Sequence, residues 1–317
     1  MRQLIFSAVL SLTLLPAPAL AATSAAAADP IGLTSGFYVN PNSSPAVWAR
    51  NNPGDSRAAR IQSAIASRPI ARWFGNEPGG IGPAVAGYVG AADSHDKLPV
   101  LVAYDIPGRD ACGGQSGGGA GSVGAYRTWI ATFAAAVADR PAIVVIEPDA
   151  LGDFACMSET AIQERLDMLR YATEQFREKA PQTWAYLDGG NAGWVAAATM
   201  ADRLNQTGVR NARGFAVNVS NYYTTSASVN YANAVRSALG YAAPFVVDTS
   251  RNGNGSNGQW CNPTGRKLGV PPQTGGGAEM LLWVKTPGNS DGTCGIAPTV
   301  PAGQFSPALA IRLIDGT

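Results

Sequence analysis

The sequence contains few of the residues that bind metals or cofactors. It has a single histidine, His95, in a polar segment, and its four cysteines form no C-x-x-C pair. No G-x-G-x-x-G pattern follows the first predicted strand, and neither glycine-rich segment carries the Lys-Ser/Thr pair of a phosphate-binding loop. We therefore expect no metal and no cofactor. The missing G-x-G-x-x-G pattern argues against a dinucleotide-dependent enzyme.

Charged residues are also scarce, at 14% of the chain, and the formal net charge is only +1. This balance provides no electrostatic attraction to nucleic acid or to an anionic membrane, so we expect an uncharged partner. We also expect a monomer. Beyond the N-terminus, no apolar run is long enough to span a bilayer. Glycine and proline are plentiful, with 37 and 22 residues, which suits an enzyme with long, well-packed loops.

The first residues have the pattern of a secretory signal. Arg2 precedes the apolar run Leu4–Leu15, and Ala19–Ala21 forms an A-x-A cleavage site. Pro16 and Pro18 end the apolar stretch, which is too short for a membrane anchor. We expect a secreted, extracellular protein with a signal peptide at residues 1–21, a flexible tail at 22–30 and one catalytic domain at 31–317.

Short apolar runs alternate with helical patterns along most of the chain. The predicted strands are Thr34–Val39, Ile70–Phe74, Leu98–Tyr104, Ala142–Glu147, Trp184–Asp188, Gly214–Val219, Pro244–Asp248 and Met280–Lys285. Apolar spacings of three and four predict helices over Ser122–Ala138, Glu159–Glu178, Asn191–Asn205 and Ser228–Leu239. This alternation predicts an α/β fold, a single-domain (β/α) barrel whose parallel sheet is covered by helices, with a doubly wound open sheet as the alternative.

Five of the predicted strands end in, or lead into, an aspartate. The aspartates at or after these strand ends are Asp105, Asp110, Asp149, Asp188, Asp248 and Asp291. In a parallel sheet they would gather at the C-terminal rim, where barrels of this class hold their active sites. Without a metal motif, a rim of carboxylates predicts acid/base catalysis of a hydrolytic reaction.

Asp149, which follows Glu147 and a proline, is the candidate general acid, because partial burial would raise its pKa. Loop ordering or helix capping is the alternative for Asp149, and Glu147 is expected to form structural hydrogen bonds. Asp110 would keep the acid protonated by like-charge repulsion, unless Arg109 simply neutralises it. Tyr104 would press a sugar ring toward the distorted shape of its transition state.

Asp291 is the candidate for an ionised carboxylate opposite the acid, with a simple turn as the alternative. Lys285 would bind a hydroxyl group or hold Asp291 ionised, and Asp248, close to Arg251, is expected to be structural, in an ion pair or hydrogen bonds. Four tryptophans at strand ends would provide flat faces for sugars, although any one of them could equally belong to the core. They are Trp73, Trp194, Trp260 and Trp283.

The four cysteines of an exported protein predict two disulfides, for which three pairings are possible. Cys112 and Cys156 each follow an aspartate-bearing strand end, as do Cys261 and Cys294. Pairing 112 with 156 and 261 with 294 would join neighbouring rim loops and stabilise the fold by about 2–4 kcal/mol per bridge. A zinc site is the alternative, which the absence of a C-x-x-C pair disfavours.

Seven motifs together resemble glycoside hydrolase family 6, the inverting cellulases. They are YDIPGRDAC, VVIEPDALG, AYLDGGNAGW, GFAVNVSNY, DTSRNGNG, QWCNPTGRKLG and WVKTPGNSDG, in the family's order over about residues 34–315. The resemblance implies a distorted seven-stranded parallel (β/α) barrel that hydrolyses β-1,4-glucan, as a polysaccharide or an oligosaccharide, with inversion. It also implies an endoglucanase with an open cleft, because the long loops that roof a tunnel in exo-acting members are missing.

The resemblance also implies a role for each matching residue. Asp149 corresponds to the general acid, Asp110 to the aspartate that raises its pKa and helps activate water, and Asp291 to the debated base. Tyr104 corresponds to the ring-distorting tyrosine, and the family disulfides correspond to Cys112–Cys156 and Cys261–Cys294. The residues expected to bind substrate are Trp73, Asp188, Trp194, Asn218, Trp260 and Lys285.

Three positions depart from the family pattern. Asn191 replaces a histidine, Asn289 replaces a glutamate found in many members, and Cys112 lies one residue further from Asp110 than usual. The first two would alter subsite affinity but leave the acid untouched. They motivate one alternative, a carbohydrate-binding protein with little or no activity. A hydrolase of another β-linked glycan, such as xylan or mixed-linkage glucan, is a separate alternative.

Overall fold

The computed structural model describes Met1 and residues 29–317. The predicted signal peptide beyond Met1 and residues 22–28 of the predicted tail lie outside the described residues. Within the part of the chain that is described, no helix combines the length and the apolar character needed to cross a membrane.

A curled, mostly parallel sheet forms the centre of the fold. Its strands are β1 (Arg72–Phe74), β2 (Val100–Ala103), β3 (Ala142–Ile146), β4 (Thr183–Asp188), β5 (Gly214–Val217), β6 (Phe245–Asp248), β7 (Gln273–Thr274) and β8 (Met280–Leu282). Their order in the sheet is β1-β2-β3-β4-β5-β6-β8-β7, and β7 is antiparallel to β8. One hydrogen bond joins the first and the last of the parallel strands: the N–H of Ala71, directly before β1, donates to the carbonyl of Trp283, directly after β8, at 3.0 Å. The sheet is therefore a distorted, incompletely closed barrel.

The predicted α/β fold is confirmed, with a slightly different number of strands. Seven parallel strands match the predicted apolar runs from Ile70 onward, and the eighth strand, β7, is a pair of exposed polar residues without an apolar pattern. The predicted strand Thr34–Val39 is wrong, because only Phe37 forms a bridge, to Leu98. Gly36, with a φ of +115°, bends the backbone directly before that bridge.

Helices cover the outer face of the sheet. Within residues 29–317 the α-helices are α1 (Ser44–Asn51), α2 (Ala58–Ile61), α3 (Ile81–Asp93), α4 (Val123–Val137), α5 (Glu159–Lys179), α6 (Ala197–Gln206), α7 (Thr225–Leu239) and α8 (Pro307–Asp315). A π-helical turn at Gln62–Ala66 continues α2, and short 3₁₀ helices lie at Asp153–Cys156 and Val209–Asn211. Ser122 and Ser158 cap α4 and α5, each accepting an N–H three residues ahead. Helix α6 begins later than predicted, since the Asn191 side chain accepts the Gly193 N–H in a turn instead.

Apart from β1, the parallel strands are buried on both faces along nearly their whole length, which explains their largely apolar sequences. Val102, Val145 and Tyr186 lie opposite one another in register and fill the barrel interior. The next residue of each strand, Ala103, Ile146 and Leu187, packs against the helices. Because the parallel strands all end at one rim, the loops that follow them meet there.

Candidate active site

The C-terminal rim of the sheet opens into a cleft with a volume of about 1450 Å³. The predicted site residues that line it are Tyr104, Asp110, Asp149, Asp291, Trp73, Trp194, Trp260 and Lys285. Asp188 and Asn218 are buried and are not part of this lining. All four residues predicted to be catalytic are therefore brought to the same cleft.

Asp149 follows β3 in a strained turn. Glu147 and Asp149 have φ values of +49° and +69°, in the left-handed region that costs a non-glycine residue about 1–3 kcal/mol. The Asp149 N–H donates to Asp188 Oδ2 at 2.9 Å, which fixes the turn. Burial raises the pKa of the Asp149 carboxyl well above its usual value, and the negative charges of Asp188, Asp153 and Asp110 raise it further. This environment favours the protonated form that a general acid needs.

Two buried acidic residues, Asp188 and Glu147, stabilise this turn. Asp188 Oδ2 also accepts the Gly190 N–H at 3.3 Å, and burial raises the pKa of Asp188 to about 7. Glu147 accepts the backbone N–H groups of Asp105 and Ile106 at 3.1 Å, and burial raises its pKa to about 8. Glu147 forms the structural hydrogen bonds expected of it, and both residues connect neighbouring strand ends.

Asp110 lies in the loop after β2, with a φ of +57°. Its Oδ2 accepts the Ser116 N–H at 2.6 Å, and the Ser116 hydroxyl lies 2.9 Å from the Tyr104 hydroxyl. Arg109 pairs with Asp105 at 3.7 Å rather than with Asp110. The Arg109 guanidinium also donates to the carbonyls of Tyr104 and Ser116, at 2.5 and 2.9 Å. Arg109 therefore orders this loop and does not neutralise Asp110 as an ion-pair partner.

Asp291 is held by four donors. Lys285 Nζ lies 3.1 Å from Oδ1, and Arg251 Nη1 lies 2.9 Å from Oδ2. The Tyr222 hydroxyl and the Asn262 N–H also donate to Oδ2, at 2.9 and 3.1 Å. Burial opposes ionisation of Asp291, but the charges of Arg251 and Lys285 outweigh it and lower the pKa to about 2. Asp291 is therefore a fixed negative charge and a weak proton acceptor.

Asp248 has the expected structural role, and of the two expected forms the structure has the hydrogen-bonded one. Its carboxylate accepts backbone N–H groups at 2.9–3.2 Å from Ser220, Ser250, Val284 and Lys285. Arg251, three residues further on, extends to Asp291 instead of pairing with Asp248. Asp248 thus joins the ends of three strand loops by hydrogen bonds.

Three of the four tryptophans at strand ends lie in the cleft. Trp194 and Trp260 are 41% and 48% exposed, and the Trp194 ring lies directly on Gly152. Trp73 contacts Tyr104 edge to face at 5.0 Å and donates to the Val284 carbonyl. Trp283 is only 2% exposed and packs in a separate core cluster, so its interpretation as a sugar platform is wrong.

Asn218, predicted to bind substrate, is not brought to the cleft. It is fully buried, its amide nitrogen donates to the carbonyls of Tyr223 and Asp248, and its oxygen accepts the Tyr223 N–H. All of these bonds are to backbone atoms, so Asn218 has a structural role in place of the predicted one. Asn191 and Asn289, the two departures from the family pattern, do line the cleft.

The predicted disulfides Cys112–Cys156 and Cys261–Cys294 are both present, with Cα–Cα distances of 5.3 and 6.0 Å. The first joins the Asp110 loop to the turn that begins at Asp153.

Sequence reasoning missed Asp153, which lines the cleft and is buried there, and burial raises its pKa. Its position four residues after Asp149 was the available signal. Among the described residues, no group of three or more His, Cys, Asp or Glu side chains is arranged to hold a metal ion.

A buried carboxyl group whose raised pKa favours its protonated form, together with one ionised carboxylate in an open cleft lined with tryptophan faces, is typical of a glycoside hydrolase. The chain belongs to glycosyl hydrolases family 6, whose family model matches residues 33–317. It is 57% identical over 310 residues to Endoglucanase 1 of Streptomyces halstedii, which covers 96% of this chain and 97% of that protein. It is 42% identical over 285 residues to Endoglucanase A of Cellulomonas fimi, covering 88% of this chain and 61% of that protein.

Solved structures show the same relationship. The endoglucanase Cel6 from Mycobacterium tuberculosis, in complex with methyl-cellobiosyl-4-deoxy-4-thio-β-D-cellobioside, matches with a TM-score of 0.83 and 40% identity, over 91% of this chain and 99% of that one. Endoglucanase Cel6B from Humicola insolens matches with a TM-score of 0.75 and 25% identity, over 90% and 97%. The predicted family and the predicted enzyme class, a glycoside hydrolase, are confirmed.

Proposed function

We propose that the protein is an endo-β-1,4-glucanase that hydrolyses internal bonds of cellulose-type glucan with inversion of configuration. The observation that carries this proposal is the opposite electrostatic setting of two carboxyl groups in one cleft. Burial and neighbouring carboxylates favour the protonated form of Asp149, whereas Arg251 and Lys285 keep Asp291 ionised. Carboxyl groups whose pKa values are driven apart identify the acid and its anionic counterpart.

In the proposed reaction, Asp149 donates its proton to the glycosidic oxygen as the bond from that oxygen to the anomeric carbon breaks. Positive charge then develops on the sugar ring, and the fixed negative charge of Asp291 stabilises it. A water molecule attacks the anomeric carbon from the opposite face. Asp110, held by the Ser116 N–H, orients this water and accepts the proton that the water loses, because both oxygens of Asp291 are already bound to cations. Proton exchange with solvent then returns Asp149 to its protonated form and Asp110 to its ionised form.

The walls of the cleft suit an uncharged, hydroxyl-rich chain. Trp194 and Trp260 expose apolar faces, while Lys285, Asn191 and Asn289 offer hydrogen-bonding groups. The relatives named above are endoglucanases, and the Mycobacterium tuberculosis structure contains a thio-linked cello-oligosaccharide. These similarities support glucan as the substrate and internal cleavage as its mode.

We also propose that residues 1–21 direct export and that 31–317 form one catalytic domain that acts outside the cell. The two disulfides support this proposal, since such bonds persist in oxidising compartments. The net charge of +1 gives no electrostatic attraction to nucleic acid or to an anionic membrane, which supports a protein without such partners. We propose that it acts as a monomer.

Two measurements on the purified protein test the proposal. With carboxymethyl cellulose, an endo-acting enzyme lowers viscosity well before many reducing ends appear, whereas a parallel course of the two would contradict internal cleavage. With a cello-oligosaccharide, proton NMR is expected to detect the α-anomer first, and a β-anomer as the first product would exclude inversion. Xylan and mixed-linkage glucan in the same assays test the alternative substrates.

A further inference from the structure

The loop that carries Asp110 and the loop that carries Asp291 are joined by one side chain. Gln115 Oε1 accepts the Thr293 N–H at 3.2 Å, a contact between residues 178 positions apart. The Gln115 side chain lies against Gly292, where an added Cβ would be 2.2 Å from Oε1. Gln115 is close in sequence to Asp110, and Thr293 directly follows Gly292 in the Asp291 loop. The contact therefore bridges the two carboxylate-bearing loops.

The two ends of this bridge differ in how firmly they are held. On the Asp291 side, Asn262 Nδ2 donates to the Gly292 carbonyl at 2.8 Å, and the disulfide from Cys261 to Cys294 closes the loop. On the Asp110 side, residues 113–119 contain five glycines, three of them with positive φ. Glycine leaves the backbone with unusual freedom, so side-chain contacts must fix the shape of this segment.

Ser116, the neighbour of Gln115, connects the Gln115 contact to the catalytic residues in the cleft. Its N–H donates to Asp110 Oδ2 at 2.6 Å, and its hydroxyl lies 2.9 Å from the Tyr104 hydroxyl. A displacement of Gln115 therefore displaces the donor that orients Asp110.

We propose that Gln115 is a positioning residue for the hydrolytic reaction. Its amide oxygen anchors the glycine-rich Asp110 loop to the firmly held Asp291 loop, and this anchor fixes the position of Asp110, which orients the attacking water, relative to Asp291, which stabilises the sugar cation. Small misplacements of such groups reduce turnover strongly while substrate binding is retained. The proposal rests on the proposed function for its kinetic consequence, but the anchoring contact itself is independent of activity.

The test compares Gln115→Ala and Gln115→Met, which keeps a similar length but lacks the acceptor, with the exposed control Gln163→Ala on α5. Loss of one such hydrogen bond is expected to lower kcat on cellohexaose about 3- to 10-fold in both Gln115 variants, with KM within about twofold of wild type. Amide hydrogen exchange of the segment containing Thr293 should accelerate in both Gln115 variants and not in the control. The melting temperatures should be unchanged.

Gly292→Ala perturbs the same contact from the other side, since its methyl group would displace the Gln115 side chain, and it also strains the backbone at a φ of +152° next to Asp291. Only the part of its effect that passes through Gln115 is shared with Gln115→Ala. Combined with Gln115→Ala, Gly292→Ala should cost less than the sum of the two single effects. Full additivity, an unchanged kcat in Gln115→Ala, or wild-type kcat in Gln115→Met would overturn the positioning role. Unchanged exchange at Thr293 would overturn the anchor itself. An inactive wild type would instead reject the proposed function, while the exchange result would still decide whether the anchor exists.

Discussion

Replacing Arg251 with methionine tests the electrostatic setting of Asp291. Arg251 is 2% exposed, its Nη1 lies 2.9 Å from Asp291 Oδ2, and its Nη2 donates to the Ser220 carbonyl. Methionine is a flexible, uncharged side chain that fills much of the same space, so the main change is the loss of the guanidinium. Lys285, 3.1 Å from the other oxygen, stays in place.

The expected size of the effect follows from the pKa of Asp291. The fold lowers the pKa of Asp291 from 3.8 to about 2, and this shift corresponds to roughly 2–3 kcal/mol of folding free energy. Because the folded-state pKa lies below the unfolded one, this stabilisation is present above about pH 4 and is lost as the pH falls toward 2. Removing one partner of a buried ion pair costs more, about 3–5 kcal/mol, since the other charge stays buried. We therefore expect Arg251→Met to lower the free energy of unfolding by that amount at pH 7, and by less near pH 3.

Urea denaturation at several pH values measures this difference, and the pH profile of kcat/KM measures its effect on activity. Without the guanidinium, Asp291 takes up a proton at higher pH, so the acid limb of the profile should move up by about 1–2 pH units. Arg68→Met, at an exposed position, is the matched control. An unchanged acid limb together with a stability loss below about 1 kcal/mol would refute the reasoning.

Two further predictions concern the walls and loops of the cleft. Trp194 is 41% exposed in the cleft, so Trp194→Ala should raise KM for cello-oligosaccharides about 3- to 10-fold and leave kcat nearly unchanged. Steady-state kinetics measures this, and an unchanged KM would contradict a sugar-stacking role. Replacing Cys261 and Cys294 together with serine should lower the free energy of unfolding by about 2–4 kcal/mol, because their bridge spans 33 residues. Urea denaturation measures the loss, and equal stability of variant and wild type would contradict it.

Local sequence patterns predicted the central part of the fold well. Strands β2, β3, β4 and β6 are buried on both faces, so their sequences are continuously apolar and their ends are marked by a change to polar residues. That change placed Asp149 and Asp188 at the rim correctly. Thr34–Val39 ends in three apolar residues but pairs at one residue only. A strand needs a partner along its length, and the sequence pattern does not reveal that partner.

The site was predictable where function depends on residue type at a strand end, and unpredictable where it depends on distant contacts. The pairing of Arg251 with Asp291 joins residues 40 positions apart, although Asp248 is much closer in sequence. Asn218 belongs to the motif GFAVNVSNY, which matches the family, yet its side-chain amide bonds to the backbone of Tyr223 and Asp248. The contact between Gln115 and Thr293 depends on how two glycine-containing loops approach each other. Such long-range contacts leave no periodic signal in the chain.

The central claim is that Asp149 protonates the leaving group, and Asp149→Asn tests it most directly. We expect activity on carboxymethyl cellulose to fall by about 10²–10⁴-fold, because asparagine has a similar shape but donates no such proton. Activity on 2,4-dinitrophenyl β-cellobioside, whose leaving group needs no proton, should be largely retained. Asp202→Asn, at an exposed position on α6, should match wild type on both substrates. Undiminished activity of Asp149→Asn on carboxymethyl cellulose, or an equal loss on both substrates, would contradict the account.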